Sequence, residues 1–170
     1  MNRRGALRVA TAAGLWLVLC GHSPYRQWEV HRKTRLVVLV SAAEPPSVTL
    51  GSALASIYAK RLPESRATMA RARDTNDLVR LVESKQLDLA LLRERDAHAP
   101  QLRALAVLGD YVFVCRDDLP VASAYMLTEA LAEGWRDIDS ALVRAASGPR
   151  PPSTLAIPVH PGALEYYRDH

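Results

Sequence analysis

The sequence predicts an α/β fold in which a mainly parallel sheet is flanked by helices. Three observations lead there. Short apolar runs rich in Leu and Val stand at 36–40, 87–92, 102–108 and 111–115, and the continuous run at 36–40 is as expected of a strand buried on both faces. Helical stripes separate the early runs, as in Leu50, Ala53, Leu54, Ile57, Tyr58 and Leu62. The resulting order of strand, helix, strand, helix, strand suits parallel strands joined by crossover helices.

In chain order, Leu36–Val40 is the first strand, and Pro45-Pro46 stops it because neither proline can donate to a ladder. The first helix follows from the Gly51-Ser52 region and ends at Pro63. Residues 66–72 make a weak second strand. In "DTNDLVRLVESKQ", Asp74 or Thr75 is the N-cap, and Leu78, Leu81 and Val82 face inward. A third strand spans Leu87–Leu92. Leu102–Leu108 and Tyr111–Cys115 form a hairpin about a tight Gly109-Asp110 turn. Ala124, Leu127, Leu131, Ile138 and Leu142 mark a late helix interrupted or bent near Gly134. "SGPRPPS" is a loop, and "IPVHPGALEYYRDH" closes the chain with a Pro-Gly turn and one or two helical turns.

The 170 residues suit one domain of ordinary size preceded by an arm. The formal net charge of +4 resides in that arm. Residues 1–35 carry seven Lys/Arg against one Asp/Glu, and residues 36–170 carry fifteen against seventeen. The folded part is therefore nearly neutral and has no general footprint for nucleic acid. Residues 1–35 read as a signal or anchor segment: arginines precede an apolar run, Val9–Gly21, that is about the length of a signal-peptide core and short for a membrane span. It is expected to form an N-terminal hydrophobic helix, either removed after export or kept as a membrane tether through residues 9–21. Trp16, Tyr25 and Trp28 would then suit an interface. Cys20 and Cys115 are too few for a disulfide framework or a structural zinc site, and no bridge between them is expected.

Enzyme signatures are missing. The five histidines are scattered, and neither a G-x-S-x-G elbow nor a phosphate-binding glycine loop is present. No catalytic residue, metal or cofactor is expected. His160 lies between turn-forming residues in "VHPG" and reads as an orienting or capping residue.

Four stretches carry a family resemblance: "LGSALASIYAKRLP", "DTNDLVRLVESKQLDLALL", "VFVCRDDLPVASAYMLTEAL" and "IPVHPGALEYYRD". Together they resemble the TAXI family of solute-binding proteins, the extracytoplasmic subunits associated with TRAP transporters. The likeness spans most of residues 36–169. It implies a type II periplasmic-binding fold, whose typical members have two lobes about a cleft and about twice this length. Here the stretches through Leu108 resemble the start of the family's chain and those from Tyr111 its end, so residues 36–170 are expected to form a single lobe without the second. The implied location is the periplasm, tethered to the inner membrane by an uncleaved anchor or secreted after signal cleavage.

Three places are candidates for ligand contact. At residues 41–51 a helix N-terminus offers N–H groups to a carboxylate, with Ser47, Thr49, Gly51 and Ser52 nearby. The resemblance places ligand contacts there, although Glu44 would repel an anion and an ordinary capped helix would have the same sequence. Thr75 and Asn76 open the second helix, as ligand contacts or simply beside its cap. Arg93, in "RERDA" at the carboxyl end of the third strand, would pair a carboxylate through its fork or belong to a solvated charge run. The resemblance implies a transport role: a small organic acid or amino acid bound weakly from one side, with TRAP membrane subunits as partners. Two alternatives stand beside it. One is a membrane-anchored interaction module with an exposed apolar patch near the 93–111 edge. The other is a degenerate remnant that binds nothing.

Overall fold

The computed structural model describes residues 35–137, 148–153 and 155–170. The expectations placed on the N-terminal arm, and on Ile138 and Leu142, lie outside the described residues.

A five-stranded, mostly parallel sheet organises the chain. Strand β1 (Val37–Ser41) pairs in parallel with β2 (Thr68–Ala72) on one side and β3 (Leu89–Arg93) on the other. Strands β4 (Leu102–Leu108) and β5 (Tyr111–Arg116) form an antiparallel hairpin, and β5 also pairs antiparallel with β3. The order is β2-β1-β3-β5-β4. Strand β4 thus leaves a one-strand gap beside β3 that β5 fills running backwards. Gly109 makes the hairpin turn possible with φ of 63°, a conformation glycine adopts without a Cβ penalty.

Helix α1 (Pro45–Arg61) starts well before the Gly51-Ser52 pair at which the sequence suggests an opening. Pro45 and Pro46 fill its first two positions, where no intrahelical N–H is needed and the fixed φ of proline is already helical. They end the strand and begin the helix at once. Helix α2 (Thr75–Glu83) follows β2, α3 (Val121–Gly134) follows β5, and α4 (Pro161–Asp169) ends the chain. The expected interruption near Gly134 is a change from α-helix to a 3-10 turn at Trp135–Asp137.

Each sheet face carries its own core. Val38, Val40, Leu89, Leu91, Phe113 and Cys115 pack with α1, α3 and α4. Val37, Leu39, Ala90, Leu92, Val112 and Val114 pack with α2. Alternate residues of one strand serve opposite faces, which explains why these strands are apolar throughout. A bulge between Ala104 and Ala106 shifts the β4 register. Leu102 and Ala104 serve the α2 face before it, and Val107 does so after it, because one extra residue inverts the alternation. The outer edge of β4 is covered by the C-terminal segment: Ala104 bridges Val159, and Val107 bridges Arg150. On the α1 face Tyr58 is fully buried, stacks on Phe113 with centroids 6.0 Å apart, and donates its hydroxyl to Leu127 O at 3.1 Å. Lys60 and Arg61 at the end of α1 pair with Asp137, and Arg61 also pairs with Glu133, which ties α1 to the end of α3.

Among the described residues no helix is long and apolar enough to cross a membrane.

Candidate functional site

The carboxyl ends of β1 and β3 and the start of α1 meet at one edge of the sheet. Open α/β sheets offer ligands space at such an edge, because the loops leaving parallel strands diverge there. Arg93 is the last residue of β3 and lies directly across the antiparallel pair from Tyr111. Its guanidinium carbon sits 5.4 Å from the centre of the Tyr111 ring, a cation–π distance. Its Nε donates to Glu44 Oε1 at 2.8 Å, and both side chains are partly buried. Glu94 N donates to Asp110 O at 3.1 Å, which pins the end of β3 against the hairpin turn. Arg93, Glu94, Arg95 and Asp110 line an open depression of about 430 Å³.

Tyr111 completes this group. The residue is 6 % exposed, and its hydroxyl is buried and makes no hydrogen bond. The phenol pKa is raised, by burial first and then by the charge of the nearby Glu44 carboxylate. Glu44 is in turn the main reason the Arg93 guanidinium holds its proton still more firmly than usual.

The start of α1 differs from the anion cradle the sequence suggests. Pro45 and Pro46 have no N–H to give, and the next two donors, Ser47 N and Val48 N, both go to Glu44 O, at 3.0 and 3.4 Å. Ser47 is fully buried, with its hydroxyl held by Ser41 O at 3.1 Å and Glu44 O at 2.8 Å. Gly51 is buried against β1, where an added Cβ would lie 2.3 Å from Val40 Cγ1. Both residues face the protein interior and present no surface to a ligand, a correction to their reading as contacts. Thr49 and Ser52 are exposed on α1, and the Thr49 hydroxyl is directed at Pro45 O, 3.5 Å away.

Thr75 and Asn76 open α2 on the opposite face of the sheet from α1. Asp74 is the N-cap, accepting from Asp77 N at 2.8 Å. Asp77 pairs with Arg80 and Arg73, and the Arg80 bond is the first cause of its lowered pKa. Thr75 is half-buried, Asn76 is exposed, and neither side chain makes a hydrogen bond among the described residues. The candidates thus separate into an α1–Arg93 group and an α2 group. Glu44 as a partner and Tyr111 as a site residue are not expected from the sequence, because only the β3–β5 register sets Tyr111 opposite Arg93.

His160 is the N-cap of α4. Its Nδ1 accepts from Gly162 N at 3.1 Å and its Nε2 bonds to Leu119 O at 3.0 Å, so both ring nitrogens are committed to holding structure. Cys115 is a free, buried thiol. Among the described residues no group of His, Cys, Asp and Glu is placed to hold a metal.

What these features define is an α/β chain with an open, charged depression at the carboxyl edge of its sheet. No protein-family model, curated protein or solved structure matches the chain.

Proposed function

We propose that the chain is a shortened, TAXI-like solute-binding subunit: one lobe of a type II periplasmic-binding fold that takes a small organic anion or amino acid weakly at the β1–β3 edge. The observation that carries this reading is Arg93, held at the end of β3 over the Tyr111 ring and beside an open depression. A guanidinium in that position suits a carboxylate. The sheet lends support of a second kind. The stretches through Leu108 and those from Tyr111 share one sheet, with β5 between β3 and β4, as expected where the first and last parts of a two-lobed chain build the same lobe.

Affinity should be low. A ligand touched from one side keeps most of its surface in water, and its hydrogen bonds compete with solvent. Delivery to TRAP membrane subunits, and a periplasmic location with a tether through residues 9–21, belong to the same proposal.

The interaction-module reading expects an apolar patch along the 93–111 edge. Among the described residues that depression is lined by charged side chains instead, and the exposed large apolar residues Val121, Met126 and Leu164 all belong to α3 and α4. Strand ends at the carboxyl edge carry polar groups because the sheet core stops there, so that reading loses its main support.

Isothermal titration of the full chain against dicarboxylates and amino acids is the test. Millimolar binding that disappears in Arg93→Ala is expected. Flat heats across the panel at millimolar ligand would overturn the reading.

A further inference from the structure

Glu44 stands at the N-cap of α1, yet its side chain does not cap the helix. The reason lies in its neighbours. An N-cap side chain normally accepts from the second or third helical N–H; here the second residue is Pro46, and Ser47 N is already bound to Glu44 O. With nothing to accept from its own helix, the carboxylate turns to Arg93. It satisfies that residue only in part. The contact uses Nε, and the two terminal nitrogens of Arg93 make no hydrogen bond among the described residues. The Tyr111 hydroxyl beside them is buried and also unpartnered. An arginine fork and a phenol converge on one carboxylate that is tethered to the backbone and reaches only one of their donors.

We propose that Glu44 is a built-in competitor for the ligand's carboxylate: it occupies Arg93 in the free chain, and an incoming carboxylate displaces it to bond Arg93 and the Tyr111 hydroxyl together. This rests on the binding reading above. A tethered group acts at an effective concentration in the millimolar range, enough to compete with a ligand that itself binds at millimolar concentration. Binding is weakened by the fraction of time Glu44 is in place. For a partly exposed ion pair of modest strength, that amounts to about two- to sixfold. The Tyr111 hydroxyl becomes reachable only once Glu44 swings aside, so ligand selection favours groups that can replace a carboxylate.

The test is titration of succinate into the full-length wild type, Glu44→Ala and Glu44→Gln, with succinamide as the uncharged control, each variant first checked for a cooperative melt. Glu44→Ala should bind succinate about two- to sixfold more tightly than wild type, with Glu44→Gln between them and succinamide unaffected. Adding Arg93→Ala to Glu44→Ala should abolish the gain. Equal succinate affinity in wild type and Glu44→Ala would overturn the competitor role and leave the binding reading standing. Binding by none of the three, or binding indifferent to Arg93→Ala, would overturn both. Should Glu44→Ala not fold, Glu44→Gln decides alone: affinity equal to or below wild type overturns the proposal.

Discussion

His160 reaches back 41 residues to bond Leu119 O, 3.0 Å from its Nε2. Because Nδ1 accepts from Gly162 N, the single proton of the neutral ring resides on Nε2 and is donated to Leu119. One side chain therefore starts α4 and anchors it to the turn before α3. Burial is the main cause that lowers the imidazole pKa from its ordinary 6.5, and protonating Nδ1 would break the Gly162 bond.

From this follows a pH dependence of stability. The unfolded chain takes up a proton near pH 6.5 while the folded chain resists it. The contribution of His160 is complete above that pH and is lost as pH falls below it. Urea midpoints should decline between pH 7.5 and 5.5, and His160→Asn, which keeps a capping oxygen, should decline less. His160→Ala should cost about 1–3 kcal/mol at pH 7.5, because it orphans Leu119 O and Gly162 N.

Three glycines mark where helices approach their neighbours too closely for a side chain. A Cβ at Gly162 would lie 2.1 Å from Val121 O, at Gly51 2.3 Å from Val40 Cγ1, and at Gly134 2.5 Å from Ile57 Cγ2. Backbone cannot step aside, and a valine on a central strand can hardly do so, whereas the Ile57 methyl has some room to turn. Thermal melts should rank Gly162→Ala as the most damaging, then Gly51→Ala, then Gly134→Ala, with losses of about 1–3 kcal/mol or more.

Tyr58 tests the α1–α3 contact. Tyr58→Phe keeps the stacking on Phe113 and removes only the bond to Leu127 O, so it should cost about 1 kcal/mol. Tyr58→Ala empties a fully buried site and should cost about 3–5 kcal/mol. Denaturant titrations of the two variants separate the hydroxyl from the ring.

Arg93 and Glu44 join the end of β3 to the start of α1. A double-mutant cycle with Arg93→Met and Glu44→Gln should give a favourable coupling that shrinks in high salt, since the pair is only partly buried. No coupling at low salt would mean that the contact is not maintained in solution.

Cys115 is fully buried, and burial pushes its thiol pKa well up. A thiol without thiolate is inert. In a Cys20→Ser background, iodoacetamide at pH 8 should leave Cys115 unmodified in the native protein and alkylate it in urea, as read by peptide mass spectrometry.

The strands were legible because burial on both faces leaves an uninterrupted apolar run, as in Val37–Val40 and Tyr111–Cys115, and the Gly109-Asp110 turn was legible because few other pairs make so tight a reversal. The true start of α1, at Pro45 and not near Gly51, is hard to read because proline both stops a ladder and opens a helix, and sequence order alone does not say which function is in use. The site was less legible still. Arg93 was visible as a cation at a strand end, but Ser47 and Gly51 looked available because nothing local says that α1 turns them toward β1.

The sequence alone determined the class of fold, the run of strands and helices, the neutral character of the folded part and the capping role of His160, since each follows from side-chain type and local spacing. Only the tertiary structure decided that β5 enters between β3 and β4, that Tyr111 therefore lies across from Arg93, and that Glu44 answers that arginine. These depend on strand order and register, which arise when distant segments pack, and no local pattern of residues encodes them.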